Sequence, residues 1–544
     1  LHVAPAVSGD GKQMVIASDR GRYDHLSLWL VGDGPVRRVT ATVEEETDPD
    51  LSPDSREVAF RLMRDGGAVY SAPIDGSHPP IKLADGGWRP RYSPGGRSIA
   101  FFRTDGPGST YAYGRVYVMD RDGRNQRQIA PGFKMARYPV WIDEKHLVFE
   151  GADAGGASDW WVADLSSSAL PVRTGAFRIL GETFGKRSSL DRWARGAVLF
   201  SASATSVLNI WQLPLDPATW QAGHPRQITD GRDGEIRPTA AGNDLFYVSP
   251  TRTTDVWQVA IEADRGIAES PLQPVTQFRA QTAVPMLSAD GSRLAYLSNR
   301  TGAWELWTRT SSGEERLSSF RDIGHRPVLS PDGRRIAVPI AEEGDCAIDI
   351  ADLLKTGNDS VIEGCNNLWD WSPATGQMLV FNPLQLTKNV ELLAGHGRSL
   401  PILSHPQHGV YAARFSPDGK WVAFLSGLTS SDAPVYVSPF TGKAVPPAQW
   451  IEIPGTAGGV PAWSPNGRLL YVRSNRDGHA CLWAQPLDER KRPSGEAVAA
   501  IHFHETAFGI APLSYQELGL SVSARKLVLN LARDTSTVWR ANFP

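Results

Sequence analysis

Short apolar runs alternate with polar turns along the whole chain, and the same unit recurs. Pro49-Asp50-Leu51-Ser52-Pro53-Asp54 precedes Val58-Ala59-Phe60, and Pro90-Arg91-Tyr92-Ser93-Pro94-Gly95-Gly96 precedes Ile99-Ala100-Phe101. Pro327-Val328-Leu329-Ser330-Pro331-Asp332-Gly333 precedes Ile336-Ala337-Val338, and Phe415-Ser416-Pro417-Asp418-Gly419 precedes Val422-Ala423-Phe424. Pro461-Ala462-Trp463-Ser464-Pro465-Asn466-Gly467 precedes Leu469-Leu470-Tyr471. More degenerate copies begin at Pro5, Pro139, Leu190, Pro238, Pro285, Trp371 and Leu520, making twelve.

Each copy predicts three or four short strands. The first ends at Ser-Pro, where proline is tolerated because a strand is stopping. Asp-Gly or Asn-Gly supplies the positive φ of a tight hairpin turn. A second strand of small and aromatic residues follows. The third carries a large ring at its centre: Trp29, Tyr70, Tyr117, Trp161, Trp211, Trp257, Trp307, Tyr436, Trp483 and Trp539, with Ile348 and Leu392 in the eighth and ninth copies. Short fourth strands such as Arg37-Arg38-Val39-Thr40 and Gln227-Ile228-Thr229 end many units.

Spacing of about 41 to 57 residues is that of propeller blades. One four-stranded sheet cannot cover both of its faces, so blades must stack radially and the rings become inter-blade packing. The expectation is an all-β protein of tandem β-propellers. Twelve blades in one ring would leave a wide empty centre, so two six-bladed rings are expected, residues 1–279 and 280–544, with five plus seven as the rival. The last copy stops at its third strand, and its missing fourth strand is expected from elsewhere, for instance the N-terminal segment.

Composition narrows the function. The 544 residues carry 56 Lys+Arg against 59 Asp+Glu, a formal charge of −3, without the electrostatic excess a nucleic-acid binder needs. No apolar run approaches the ~18 residues of a membrane span, so the chain is not expected to be membrane-embedded. It begins at Leu1 without a signal-like segment, so a signal peptide, anchor or upstream domain is expected to have been removed. Cys346 and Cys365, nineteen residues apart, could form one disulfide in an oxidising compartment or remain half-buried thiols.

The unit P-x-x-S-P-D-G followed by an apolar strand and a strand with a central aromatic resembles the PD40 (WD40-like) repeat of TolB-like propellers. The tail Gly519–Ser523, Lys526–Asn530 and Thr537–Trp539, with Asp477–Gln485 and Arg137–Trp141, is similar to the extracytoplasmic C-terminal region of bacterial PD40-containing Ser/Thr kinases and winged-helix regulators. That resemblance implies a periplasmic or extracellular sensing or protein-binding region of the bacterial cell envelope. Propellers host many activities, so it fixes fold more firmly than function.

No Gly-x-Ser-x-Gly elbow, HExxH, P-loop or GxGxxG at a strand–helix junction occurs, and no catalytic residue is assigned. Asp120-Arg121-Asp122-Gly123 lacks the later ligands of a calcium loop and reads as a turn. No cofactor is expected, though a structural divalent cation such as calcium has room in this fold. His502-Phe503-His504 puts two imidazoles on one face of a strand; a third ligand would make a metal site, but polar surface histidines are the reading adopted, and no metal is assigned. Arginines recur at the entry to the innermost strands: Arg89, Arg137 and Arg237 in the first ring, Arg326 in the second, with Trp88, Tyr138 and His325 beside them. Converging guanidinium groups would attract carboxylates. Alternatively, the acidic loop Glu44–Asp50 enters the same mouth and neutralises the first-ring arginines.

The expected function is non-catalytic recognition of a protein, peptide or small ligand, as the sensor part of a signalling protein. A structural subunit that self-associates into a surface assembly or filament is one alternative, and a metal-dependent propeller lyase or hydrolase fragment is another. Free-thiol counting on unreduced protein tests the compartment: one reactive thiol means that Cys346 and Cys365 are bridged, and three that they are not.

Overall fold

The computed structural model describes residues 2–19, 26–64, 67–104, 114–181, 184, 186–204, 207–231, 234–278, 280–317, 326–342, 345–354, 358–364, 366–382, 389–393, 398–427, 433–456, 458–504, 508–510 and 519–543. Cys365, His325 and the side chain of Cys346 lie outside the described residues. Strands make up almost all regular structure; the helices among the described residues are Ala176–Gly181 and the single 3-10 turn Pro447–Gln449.

Two compact units form, Leu1–Thr251 with Asp534–Pro544, and Arg252–Arg533. Innermost strands of the first are His2–Val7, Glu46–Leu51, Gly87–Tyr92, Met135–Trp141, Lys186–Ala194 and Ile236–Ala241. Each lies against the next, and Ile236–Ala241 returns to His2–Val7, so six blades close a ring. In the second unit the innermost strands Thr282–Leu287, Val328–Leu329, Asn367–Trp371, Gly409–Phe415, Ala462–Trp463 and Leu520–Val522 close a ring in the same way. Five blades of each ring are antiparallel sheets of four consecutive strands. The protein is thus a tandem β-propeller.

The sixth blade of each ring comes from two distant stretches of chain. In the first unit, Ile236–Ala241 pairs with the beginning of the strand Asp244–Glu262, and the third strand is the end of Lys526–Asn542. In the second, Leu520–Val522 pairs with the beginning of Lys526–Asn542. The end of Asp244–Glu262, carrying Trp257, is its third strand, and Gln273–Pro274 its fourth. The sixth and twelfth repeats have exchanged their outer halves. The N-terminal segment, expected to complete the last repeat, instead forms a hairpin with Met14–Ser18, a closure over few residues that costs little chain entropy.

Phe543 anchors the returning strand in the first unit. It packs with Leu199, Ile210 and Leu245, its N–H donates to the Asn243 carbonyl at 2.7 Å, and its carbonyl accepts from Arg195 Nη1 at 2.7 Å. Arg540 adds an ion pair to Asp244 at 2.6 Å.

The third-strand rings pair directly with large side chains of the second strands, as in Phe60 with Tyr70, Phe149 with Trp161 and Tyr296 with Trp307. Trp539 departs from the expected inter-blade packing and is 51% exposed. Among the described residues its blade has no fourth strand in the first unit to cover it.

One turn network repeats in six of the blades. Ser330 Oγ donates to Asp332 Oδ1 at 2.5 Å and accepts from Arg335 N–H at 2.8 Å, while Asp332 Oδ1 accepts from Arg334 N–H at 3.0 Å. Ser8/Asp10, Ser52/Asp54, Ser288/Asp290 and Ser416/Asp418 repeat it, and Ser464/Asn466 does so with an amide. Glycine then takes a left-handed conformation, φ +68° at Gly333 and +67° at Gly419. A Cβ there would lie 2.7 Å from Ser288 Cβ or Ala374 Cβ, in the turn of the preceding blade. Glycine therefore serves both the turn and the spacing between blades.

These contacts make the turn aspartates acid-sensitive. The hydroxyls of Ser52 and Ser288 depress Asp54 and Asp290 to about 2, and Ser330 lowers Asp332. A carboxyl depressed on folding contributes stability above its unfolded value near ~4 and loses it as pH falls toward 2. Thermal unfolding temperature should therefore drop steeply between about pH 4 and pH 2. At neutral pH, Ser330→Ala should cost about 1–2 kcal/mol, read from urea unfolding, and should flatten part of that acid dependence.

Candidate functional site

Irregularities in several innermost strands re-aim side chains. The ladder slips between Thr47 and Asp50, Arg137 and Val140, Ile236 and Thr239, Ala283 and Met286, and Tyr411 and Arg414. A residue with positive φ sits at each slip: Asp48, Tyr138, Arg237, Val284 and Ala412; Arg89 does the same in its blade. Such bulges re-aim side chains, and each left-handed residue costs roughly 1 kcal/mol or more. In the blade of Met135–Trp141 the re-aimed residue is Tyr138. Arg137 stays in register opposite Glu150 and pairs with its Oε1 at 2.7 Å.

In the first ring the bulge residues meet. Arg237 Nη1 lies 3.5 Å from Asp48 Oδ1; Arg89 Nη1 lies 3.6 Å from Asp191 Oδ1 and donates to the Leu190 carbonyl at 3.1 Å. The Tyr138 ring lies below both Arg89 and Arg137, whose Cζ atoms are 4.7 and 5.0 Å from its centroid. Trp88 sits under Arg61 at 3.2 Å. A second layer lies two residues further along the strands, where Asp50 pairs with Arg192 and Arg91 is buried beside them. Arg91, Arg192, Asp50 and Asp191 line a cavity of about 220 Å³.

Burial sets the proton energetics here. It pulls Arg89 down, aided by Arg237, and with Arg192 brings Arg91 to about 10, still cationic at neutral pH. Burial raises Asp191. For Asp48 burial is outweighed by Arg237 and Arg89, and its carboxyl lies below the ordinary value. Two arginines face two aspartates around the cavity, and both Arg–Asp contacts of the bulge layer are direct.

The second ring repeats the deeper layer. Asp370 Oδ2 accepts from Phe415 N–H at 2.7 Å, as Asp50 Oδ2 accepts from Tyr92 N–H at 2.8 Å. Trp463 Nε1 donates to the Arg414 carbonyl at 3.2 Å, as Trp141 Nε1 donates to the Arg91 carbonyl at 2.9 Å. Aspartate, arginine and tryptophan on three successive blades thus form one element used in both rings. Around it Arg326, Trp369, Asp370, Trp371, Arg414 and Trp463, with prolines of the Ser-Pro turns, line a cavity of about 310 Å³. Burial pulls Arg326 well below its ordinary value with help from Arg414, lowers Arg414, and raises Asp370. Among the described lining residues, two arginines face one carboxylate.

Of the residues singled out in sequence, Arg89, Arg137, Tyr138 and Arg237 come together in the first ring, Trp88 stacks on Arg61 nearby, and Arg326 lines the second-ring cavity. Sequence reasoning missed Arg91, Arg192, Asp191 and Arg414. Their signal is positional: Arg91, Arg192 and Arg414 each precede an aromatic residue near the end of an innermost strand.

No family model matches the chain. A Bacillus subtilis protein named as an uncharacterised peptidase, YuxL, is 32% identical over 169 residues, covering 29% of this chain and 24% of that protein. A TolB homologue of Chlorobium chlorochromatii is 29% identical over 143 residues, covering 26% of this chain and 32% of the homologue. The chain thus spans about a quarter to a third of the length of the curated relatives it matches. Among solved structures, TolB of Acinetobacter baumannii is 16% identical with a TM-score of 0.35, covering 55% of this chain and 79% of TolB. The tricorn protease is 12% identical with a TM-score of 0.37, covering 92% of this chain and 63% of the protease. Over the matched stretch the repeats are similar to those of the TolB homologue.

Removing one partner from a buried ion pair leaves the other uncompensated, which costs about 3–5 kcal/mol. Asp50→Ala, which strips both Arg192 and the Tyr92 N–H, should fall in that range or unfold the first ring. Differential scanning calorimetry should show the loss in one transition while the second ring's transition stays in place.

Proposed function

We propose that this chain is a non-catalytic, extracytoplasmic recognition module whose second ring takes an acidic group of a protein or peptide partner. The lining of the 310 Å³ cavity carries the reading: the buried Arg326 and the half-buried Arg414 stand there among tryptophans, with Asp370 the carboxylate among the described lining residues. A guanidinium out of water gains most from a carboxylate that binds through two parallel hydrogen bonds. Trp369, Trp371 and Trp463 with the turn prolines supply flat apolar walls suited to a peptide. The first ring's arginines already have acidic neighbours within the fold, which favours a structural role for that layer. Partial similarity to a TolB homologue supports a protein-binding propeller of the cell envelope, and an upstream signalling domain would make it a sensor.

The match to a protein named as a peptidase supports a second reading, in which these propellers serve a hydrolase by admitting peptides. Peptide hydrolysis by the purified chain would favour that reading.

An array of peptides graded from acidic to basic, probed with the purified chain, tests the proposal. Binding should rise with Asp and Glu content and weaken with salt. Arg414→Met should reduce binding at least tenfold, and Ala289→Glu, an exposed change at the rim, should weaken it severalfold without touching the core. Equal binding of acidic and basic peptides would refute the proposed site.

A further inference from the structure

The second unit holds a group of side chains, apart from its channel, with the composition of a transition-metal site. Asp477 lies in the turn after strand Leu469–Ser474, and Cys481 opens strand Cys481–Pro486. Strand Val498–Ile501 pairs with the latter through Leu482 and Ile501, so the next rung brings Cys481 level with His502. Phe503 is buried and its N–H lies 3.5 Å from Cys481 Sγ. His502 and His504 flank it and therefore leave the chain on the same side.

The ligand atoms of Asp477, Cys481, His502 and His504 all lie within 4.8 Å of one another. Asp477 Oδ2 is 2.9 Å from His504 Nε2 and 3.2 Å from His502 Nδ1, and the two ring nitrogens are 3.4 Å apart. Tetrahedral ligands at zinc distances of about 2.0–2.3 Å stand roughly 3.3–3.8 Å from each other. Three donors already have nearly that spacing, and the thiol completes a set of four with a shift of about an ångström. Two ring nitrogens converge on a single carboxylate oxygen, an arrangement that a pair of ordinary histidine–aspartate hydrogen bonds does not require. His479 stacks against His504, centroids 4.2 Å apart, and its buried Nδ1 has no hydrogen-bond partner among the described residues.

We propose that Asp477, Cys481, His502 and His504 bind a divalent transition metal, zinc or a metal of similar preference, on the outer part of this blade. Thiolate and imidazole favour zinc over calcium or magnesium, which take oxygen ligands. Four protein ligands make a closed, structural site that clips the segment following the fourth strand to the turn at Asp477. Binding requires Cys481 as thiolate, so one proton leaves as the metal enters.

Chelator-stripped protein titrated with Co²⁺ and with Zn²⁺ gives the test. One equivalent of Co²⁺ should bind with the visible absorption of a tetrahedral ion and a thiolate-to-cobalt charge-transfer band, displaced by one equivalent of Zn²⁺. Cys481→Ser, a near-isosteric change, should abolish the charge-transfer band. The double substitution His502→Ala and His504→Ala, at positions that are exposed and half-buried, should weaken binding at least a hundredfold. The metal-free variants should melt with the metal-free parent, and Zn²⁺ should raise the melting temperature of the parent alone. No stoichiometric binding by the parent, or a cobalt spectrum unchanged in the double variant, would overturn the proposal.

Discussion

A propeller blade of this size has two apolar faces and no way to cover either alone. Everything else in the molecule follows from satisfying that constraint around a closed ring. The turn after each innermost strand sets the geometry. Serine ties its hydroxyl to an aspartate two residues on and to a backbone N–H five residues on, which fixes the hairpin close to the ring axis. Left-handed glycines in these turns let successive blades approach; Gly419 passes so near Ala374 that a methyl group would not fit. Blade spacing is decided at the hairpins, and the large rings of the third strands fill the wedge that opens outward.

Closure poses a different problem from repetition. The last innermost strand of each ring must meet the first, and the chain has to leave one ring and return. It does so by splitting two repeats, so that each sixth blade has inner strands from one stretch and outer strands from another. Phe543, near the C-terminus, then sits in the core of the first unit among Leu199, Ile210 and Leu245. The same centripetal packing brings charged residues toward each axis, where bulges aim them inward. Keeping one Asp–Arg–Trp element while varying the neighbours gives two channels of equal architecture and different linings.

Much of this was legible in the chain. Ser, Pro, Asp and Gly occupy the turns for stereochemical reasons that nothing else satisfies as well, so twelve repeats and a propeller fold could be read directly. The exchange of repeat halves was not legible, because both split repeats keep the local pattern of intact ones; strand partners are a long-range property. Trp539 looked like its counterparts yet lies on an edge. In the channel, the innermost strands were recognisable but their bulges were not. A one-residue slip makes Tyr138 rather than Arg137 the re-aimed residue of its blade. Arg91 and Arg414 stood one position before an aromatic in plain sight, but their burial depends on the neighbouring blades. Likewise, the spacing of His502 and His504 shows two imidazoles on one side, whereas the approach of Asp477 and Cys481 requires the pairing of two strands separated by a long connection.

The central claim is that the two channels share one Asp–Arg–Trp element and that the second ring's channel takes an acidic group. Side-chain N–H resonances of the arginines, assigned by substitution and followed while a small dicarboxylate is added, test it directly. Arg326 and Arg414 should shift in a saturable manner, and Arg89, Arg192 and Arg237 should stay in place because their acidic neighbours belong to the fold. Equal shifts in both sets, or shifts confined to the first ring, would contradict the account.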